Sequence, residues 1–113
     1  MTAALEQRLD ETFAALADPT RRTVMREVST RGSATATELA LPLGVTRQAV
    51  AKHLAVLADA GLVDARREGR ETRYRPTPAP LGDAISWMTS VGGAWDSRLA
   101  ALERQVARRR ERG

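Results

Sequence analysis

The chain has 113 residues, 42% hydrophobic and 28% charged, with a net charge of +4, which leaves room for a single domain (1–113) of soluble globular balance with one modest core. It contains no Cys and one His, which excludes disulfides and thiol chemistry and leaves a transition metal short of ligands, so no metal or other cofactor is expected. No apolar run approaches the ~18 residues of a membrane span, and the first residues lack a signal peptide's apolar stretch, which points to a cytoplasmic protein with no membrane partner.

Leu5, Leu9, Phe13 and Leu16 recur every three or four residues and predict an amphipathic first helix. Asp18-Pro19 restarts the helix, with Asp as N-cap and Pro at the first helical position, and Val24, Met25 and Val28 supply the buried face up to Gly32. Thr35-Ala36-Thr37-Glu38 fits a capping box opening a short third helix, with Leu39, Ala40 and Leu43 inward and Gly44 closing it. Pro42 is expected to tighten or stop that helix. A fourth helix follows Thr46 and runs to about Ala60, with Val50, Leu54 and Leu57 on one face and Gly61 ending it.

The period then changes to two. Leu62 to Arg67 and Thr72 to Pro76 read as a hairpin around Glu68-Gly69-Arg70-Glu71. Pairing Arg67 with Thr72 sets Ala65 opposite Tyr74 and Val63 opposite Pro76, and places Asp64 to pair with Arg75 across the strands. Pro76, Pro78 and Pro80 suggest a stiff extended connector. After it, Leu81, Met88, Trp95 and Leu102 interleave with Ile85, Gly92, Leu99 and Val106 as a heptad seam, in which Gly92-Gly93 marks a kink or a close helix approach.

These elements make a mostly α fold with a small β-hairpin. Helix, glycine turn, helix and hairpin from Ala36 to Arg75 form a winged helix-turn-helix, with the core at 18–76. Ala40, Gly44 and Val50 are the small residue, turn glycine and inner apolar residue that let the two helices cross. Residues 44–76 sum to +3 and 104–113 to +4, whereas 1–17 and 77–103 each sum to −2, a local basic surface suited to phosphate. On the outer face of the fourth helix, Arg47 and Lys52 can donate to guanine, Gln48 can pair with adenine and Ala51 can meet a thymine methyl. Thr46 stands at the helix start, where a phosphate is favoured. Arg66, Arg67, Arg70 and Arg73 cluster on the hairpin, as a wing lying along the DNA backbone would need. A lone His53 at the edge of the packed face reads as a structural hydrogen-bonding residue. A domain this small cannot cover the 81–106 seam itself. Helices 1–17 and 81–108 are therefore expected to dimerise, through Leu5, Leu9, Phe13, Met88, Trp95, Leu99 and Leu102.

Three regions of the chain carry a family resemblance. Phe13-Ala14-Ala15-Leu16-Ala17-Asp18-Pro19-Thr20-Arg21-Arg22 resembles the entry to the core helices of the ArsR family of bacterial repressors. Val45-Thr46-Arg47-Gln48-Ala49-Val50-Ala51-Lys52-His53-Leu54 is similar to their recognition helix, and Ala60-Gly61-Leu62-Val63, Arg67-Glu68-Gly69-Arg70 and Tyr74 to their wing. The resemblance runs from about Leu9 to Pro76. It implies a homodimer made by the first and last helices, bound to an inverted repeat in a promoter and released by an effector, here an unknown small molecule. The chain departs from the family's metal sensors: Thr35, Ala36 and Thr37 stand where some carry Cys-x-Cys, and Pro78, Pro80, Val91 and Ala94 where others carry ligands on the last helix. An enzyme is not expected, because the titratable residues are scattered and no phosphate-cradling loop occurs. The rival reading is a winged-helix adaptor that binds protein and no DNA; such a module would show apolar or acidic residues where this chain has Arg47, Gln48 and Lys52.

Overall fold

The computed structural model describes residues 2–112; Met1 and Gly113, the two ends of the expected 1–113 domain, lie outside the described residues. Helix α1 (Ala3–Leu16) starts at the N-cap Thr2, and α2 (Pro19–Arg31) at Asp18, whose side chain accepts from the Arg21 amide at 3.0 Å. The turn between them is closed by cations on the end of α1. Arg21 donates to the Ala15 carbonyl at 3.1 Å and Arg22 to the Leu16 carbonyl at 2.7 Å, satisfying acceptors that a helix C-terminus leaves open.

A two-residue strand β1 (Ala34–Thr35) leads into α3 (Ala36–Leu43). The capping box forms as read: Glu38 N donates to Thr35 Oγ1 at 3.1 Å, and Thr35 N to Glu38 Oε1 at 3.0 Å. The helix ends at Leu43, one residue past Pro42, and tightens there through Gly44 N to Leu41 O at 3.1 Å, as expected. A proline one residue from the end forfeits a single backbone bond, and Gly44 closes the helix. Gly44 and Gly61 end α3 and α4 (Arg47–Asp59) in the same way. Each has positive φ (67° and 75°), and the residue after it bonds back to the last turn, Val45 N to Ala40 O and Leu62 N to Leu57 O.

Strands β2 (Val63–Glu68) and β3 (Glu71–Pro76) pair antiparallel in the expected register, Val63 with Pro76, Ala65 with Tyr74 and Arg67 with Thr72. β1, which the sequence pattern did not suggest, adds to the free edge of β3 through Ala34–Tyr74, giving the order β1-β3-β2. The core is shared by Val24, Met25 and Val28 of α2, Leu39 of α3, Val50, Leu54 and Leu57 of α4, and Ala34, Leu62 and Val63 beside the sheet. These positions match the apolar faces expected of α2 and α4.

The proline connector is shorter than its three prolines suggest. Helix α5 (Ala79–Arg112) begins before Pro80, which sits in its first turn, where a missing N–H costs nothing. At 34 residues it is about 51 Å long and runs unbroken through Gly92-Gly93. Neither glycine has a side-chain or backbone neighbour within 4 Å of its would-be Cβ, so within the chain they mark no close approach.

Candidate nucleic-acid interface

The first turns of α4, the start of α3 and the turn side of β3 border one groove of about 250 Å³. Arg47, Gln48 and Ala51 line it from α4, Arg70, Glu71 and Thr72 from the hairpin, and Thr37 from α3. This convergence follows from the core. Val50, Leu54 and Leu57 are fully buried, which turns the 47, 48 and 51 side of α4 outward, and Gly44 sets the angle between α3 and α4. Lys52 is exposed on α4 beside the groove, and Arg66 and Arg67 are exposed on β2; none of the three lines it. Thr46 caps α4 by accepting from Ala49 N at 3.1 Å, which leaves its hydroxyl proton free to donate outward. The hydroxyls of Thr37 and Thr72 were not singled out by sequence; neither charge nor periodicity marks them.

The wing arginines divide by their partners. Arg73, expected on DNA, is turned into the protein: it meets Glu38 at 3.0 Å and Glu68 at 3.4 Å and donates to Ser33 Oγ at 3.2 Å, with its side chain 24% exposed. It fastens the hairpin to the N-terminus of α3. Arg66 pairs with Asp64 at 3.0 Å, and Arg75 with Glu68 at 3.6 Å, so Asp64 and Arg75 face each other in register without the expected ion pair. Asp64 is reached more easily by the neighbour on its own face and strand. Arg67 donates to the Gly69 carbonyl at 3.2 Å. Among the described residues, Arg47, Lys52, Arg67 and Arg70 enter no ion pair, and these four cations surround the groove mouth and the hairpin tip.

Two carboxylates in the framework titrate low. The Thr35 amide, aided by Arg73, holds the Glu38 carboxyl below its ordinary value, against partial burial. The Arg21 amide does the same for Asp18, helped by the charge of His53. His53 Nδ1 itself is buried without a hydrogen-bond partner, so the structural bond expected of it is absent at that nitrogen. Among the described residues no group of three or more His, Cys, Asp or Glu could hold a metal, and no helix is long and apolar enough to cross a membrane.

Of the residues expected at a dimer contact, Met88, Trp95, Leu99 and Leu102 are 48%, 60%, 42% and 57% exposed along α5, with Ile85, Val91 and Val106 beside them. Leu5 and Phe13 are half-buried, and the Phe13 ring meets Trp87 edge-on at 5.6 Å. Leu9 is buried where α1 folds onto α5, at the floor of a groove it shares with Phe13 and Trp87, which leaves little of it for the contact expected of it.

Residues 16–66 match the helix-turn-helix domain family. Among curated relatives, the uncharacterized HTH-type transcriptional regulator YuzN of Bacillus subtilis is 48% identical over 67 residues, 54% of this chain and 73% of that protein. A probable mercury resistance operon repressor of Streptomyces lividans is 42% identical over 73 residues, covering 65% of this chain and 58% of that longer protein. Among solved structures, an ArsR-like transcriptional regulator from Rhodococcus sp. RHA1 superposes with a TM-score of 0.74 at 40% identity, covering 90% of this chain and 95% of that one. The homodimeric winged helix-turn-helix DNA-binding domain of Mb0332 from Mycobacterium bovis superposes with a TM-score of 0.61 at 27% identity, covering 86% of each chain.

Proposed function

This chain belongs to the ArsR family of helix-turn-helix transcriptional regulators, and we propose that it is a cytoplasmic repressor that occupies an inverted repeat in a promoter as a homodimer. The observation that carries this reading is the groove where Arg47, Gln48 and Ala51 of α4 meet Arg70 of the wing. Insertion of the first turns of α4 into a major groove presents Arg47 and Gln48 to base edges, while Arg67, Arg70 and Lys52 hold flanking phosphates. Residues 18–76 form the reading unit. Arg73 acts by holding the wing in place, and Arg66, tied to Asp64, contributes a weaker phosphate contact.

Dimerisation through α1 and α5 is supported by the apolar stripe on α5, which is exposed in the single chain, and by the homodimeric state of the Mycobacterium bovis domain. A two-fold pair sets two recognition helices about one DNA turn apart, ~34 Å. Release by a small-molecule effector follows the family's pattern, and this chain has Thr35, Ala36 and Thr37, and Pro78, Pro80, Val91 and Ala94, at the two places where metal-sensing members are expected to carry ligands. A gel shift against the DNA upstream of its own gene tests the function. A retarded band that Arg47→Ala with Arg70→Ala abolishes is the expected result; a wild-type protein that shifts no upstream fragment at low salt would refute it.

A further inference from the structure

We propose that a second copy of this chain lays the arginine-rich half of its α5, antiparallel, along the acidic groove between α1 and α5, so that charge as well as an apolar seam holds the dimer. The proposal rests on the dimeric reading above and adds the charged residues that fix the register of the pairing.

The groove holds about 360 Å³ and has an apolar floor of Leu9, Phe13 and Trp87 under a rim of Glu6 and Asp10. Among the described residues no ion pair engages either carboxylate. The complement lies on the same chain. Arg98, Gln105, Arg109 and Arg112 fall on one flank of α5 at helical spacing, beside the exposed seam of Trp95, Leu99, Leu102 and Val106. Near the start of α5 the same flank carries Asp83, Ala84 and Trp87, and it is the flank that packs on α1, through Arg8–Asp83 and Phe13–Trp87. A two-fold axis perpendicular to α5 reverses the helix and keeps like flanks on the same side. The arginine flank of one copy is thereby brought over α1 of the other.

The register agrees. A two-fold between Trp95 and Leu99 sets Met88 opposite the partner's Val106 and Gly92 opposite the partner's Leu102, apolar throughout and small against large. It also sets the partner's Arg109 opposite Ile85, which lies level with Asp10, between the two α1–α5 contacts. Parallel pairing instead leaves the groove empty and Arg109 and Arg112 unmatched.

The chain has no cysteine, so engineered thiols report cleanly. Under mild oxidation, Asp10→Cys protein mixed with Arg109→Cys protein should give a covalent heterodimer. Arg109→Cys linking to itself instead would mean parallel pairing and overturn the proposal. By sedimentation equilibrium at low salt, Glu6→Lys with Asp10→Lys should weaken the dimer by about tenfold or more, and so should Arg109→Glu with Arg112→Glu. Combining all four should restore it to within about threefold. All four residues are exposed, and circular dichroism checks that helicity is kept. A wild-type chain that is monomeric throughout would overturn the dimeric reading itself; a dimer whose affinity ignores these reversals would overturn only the charge pairing.

Discussion

Arg73 and Glu38 tie the wing to the recognition module across 3.0 Å, and the Glu38 oxygen that meets the guanidinium is the one that accepts from the Thr35 amide. One carboxylate thus starts α3 and anchors the hairpin together, so a polar contact outside the core holds the wing beside the β1–β3 pairing. Arg73→Ala should lower the melting temperature by about 3–6 °C and weaken binding to all DNA sequences, with base preference kept. Arg73→Lys should recover only part of this, since a single ammonium cannot span Glu38 and Glu68 as the fork does. A melting curve and a competition binding series check both.

The low-titrating carboxylates predict an acid limb. Asp18 and Glu38 have folded values below their ordinary 3.8 and 4.5, so the unfolded chain binds protons first as pH falls. Their stabilisation is complete above about pH 5 and is lost as pH drops through 4.5 and 3.8 towards the folded values. Thermal melts from pH 7 to pH 3 should be flat and then fall. Asp18→Asn with Glu38→Gln keeps the caps while removing the titration, and should flatten the limb.

Reading and holding should separate. Arg47→Ala or Gln48→Ala should cost about 1–3 kcal/mol per contact and relax base preference at one position in each half-site. Arg70→Ala should weaken all sequences alike and reduce the slope of log affinity against log salt by roughly 1–2, for two wings per dimer. Salt titrations with the operator and a scrambled duplex measure both quantities. An unchanged preference in Arg47→Ala would mean that α4 docks differently.

Most of the fold was legible because its signals are local. Caps at Asp18, Thr35 and Thr46, stops at Gly44 and Gly61, and the hairpin register each depend on a few consecutive residues. The groove was legible in Arg47, Gln48 and Ala51, since the buried face of α4 dictates which side is free. What escaped was non-local. β1 exists only because β3 offers it an edge, and Ala34-Thr35 is too short to carry a period. Arg73 could not be told from its neighbours until Glu38, thirty-five positions away, was seen beside it. Leu9 is taken by α5, which no spacing within α1 reveals.

The seam predicts a variant that loses DNA without touching it. Trp95 is 60% exposed in the single chain, so Trp95→Ala should leave the protomer's helicity unchanged. Full burial between two copies makes its loss cost about 3–5 kcal/mol in dimer stability. Sedimentation should show monomers at micromolar concentration, and operator binding should fail with them. Tight dimers of the variant would mean that α5 packs by another face.

Both tryptophans, Trp87 and Trp95, lie on α5, and no residue lining the α4–wing groove is a tryptophan. Tryptophan emission therefore reports assembly and has no reporter in the groove. Dilution that separates two copies should move the emission to longer wavelength as Trp95 meets water, whereas saturating an already formed dimer with operator should leave it unmoved. The protein carries its own optical gauge of assembly, and operator affinity can be measured beside it without a dye on either molecule.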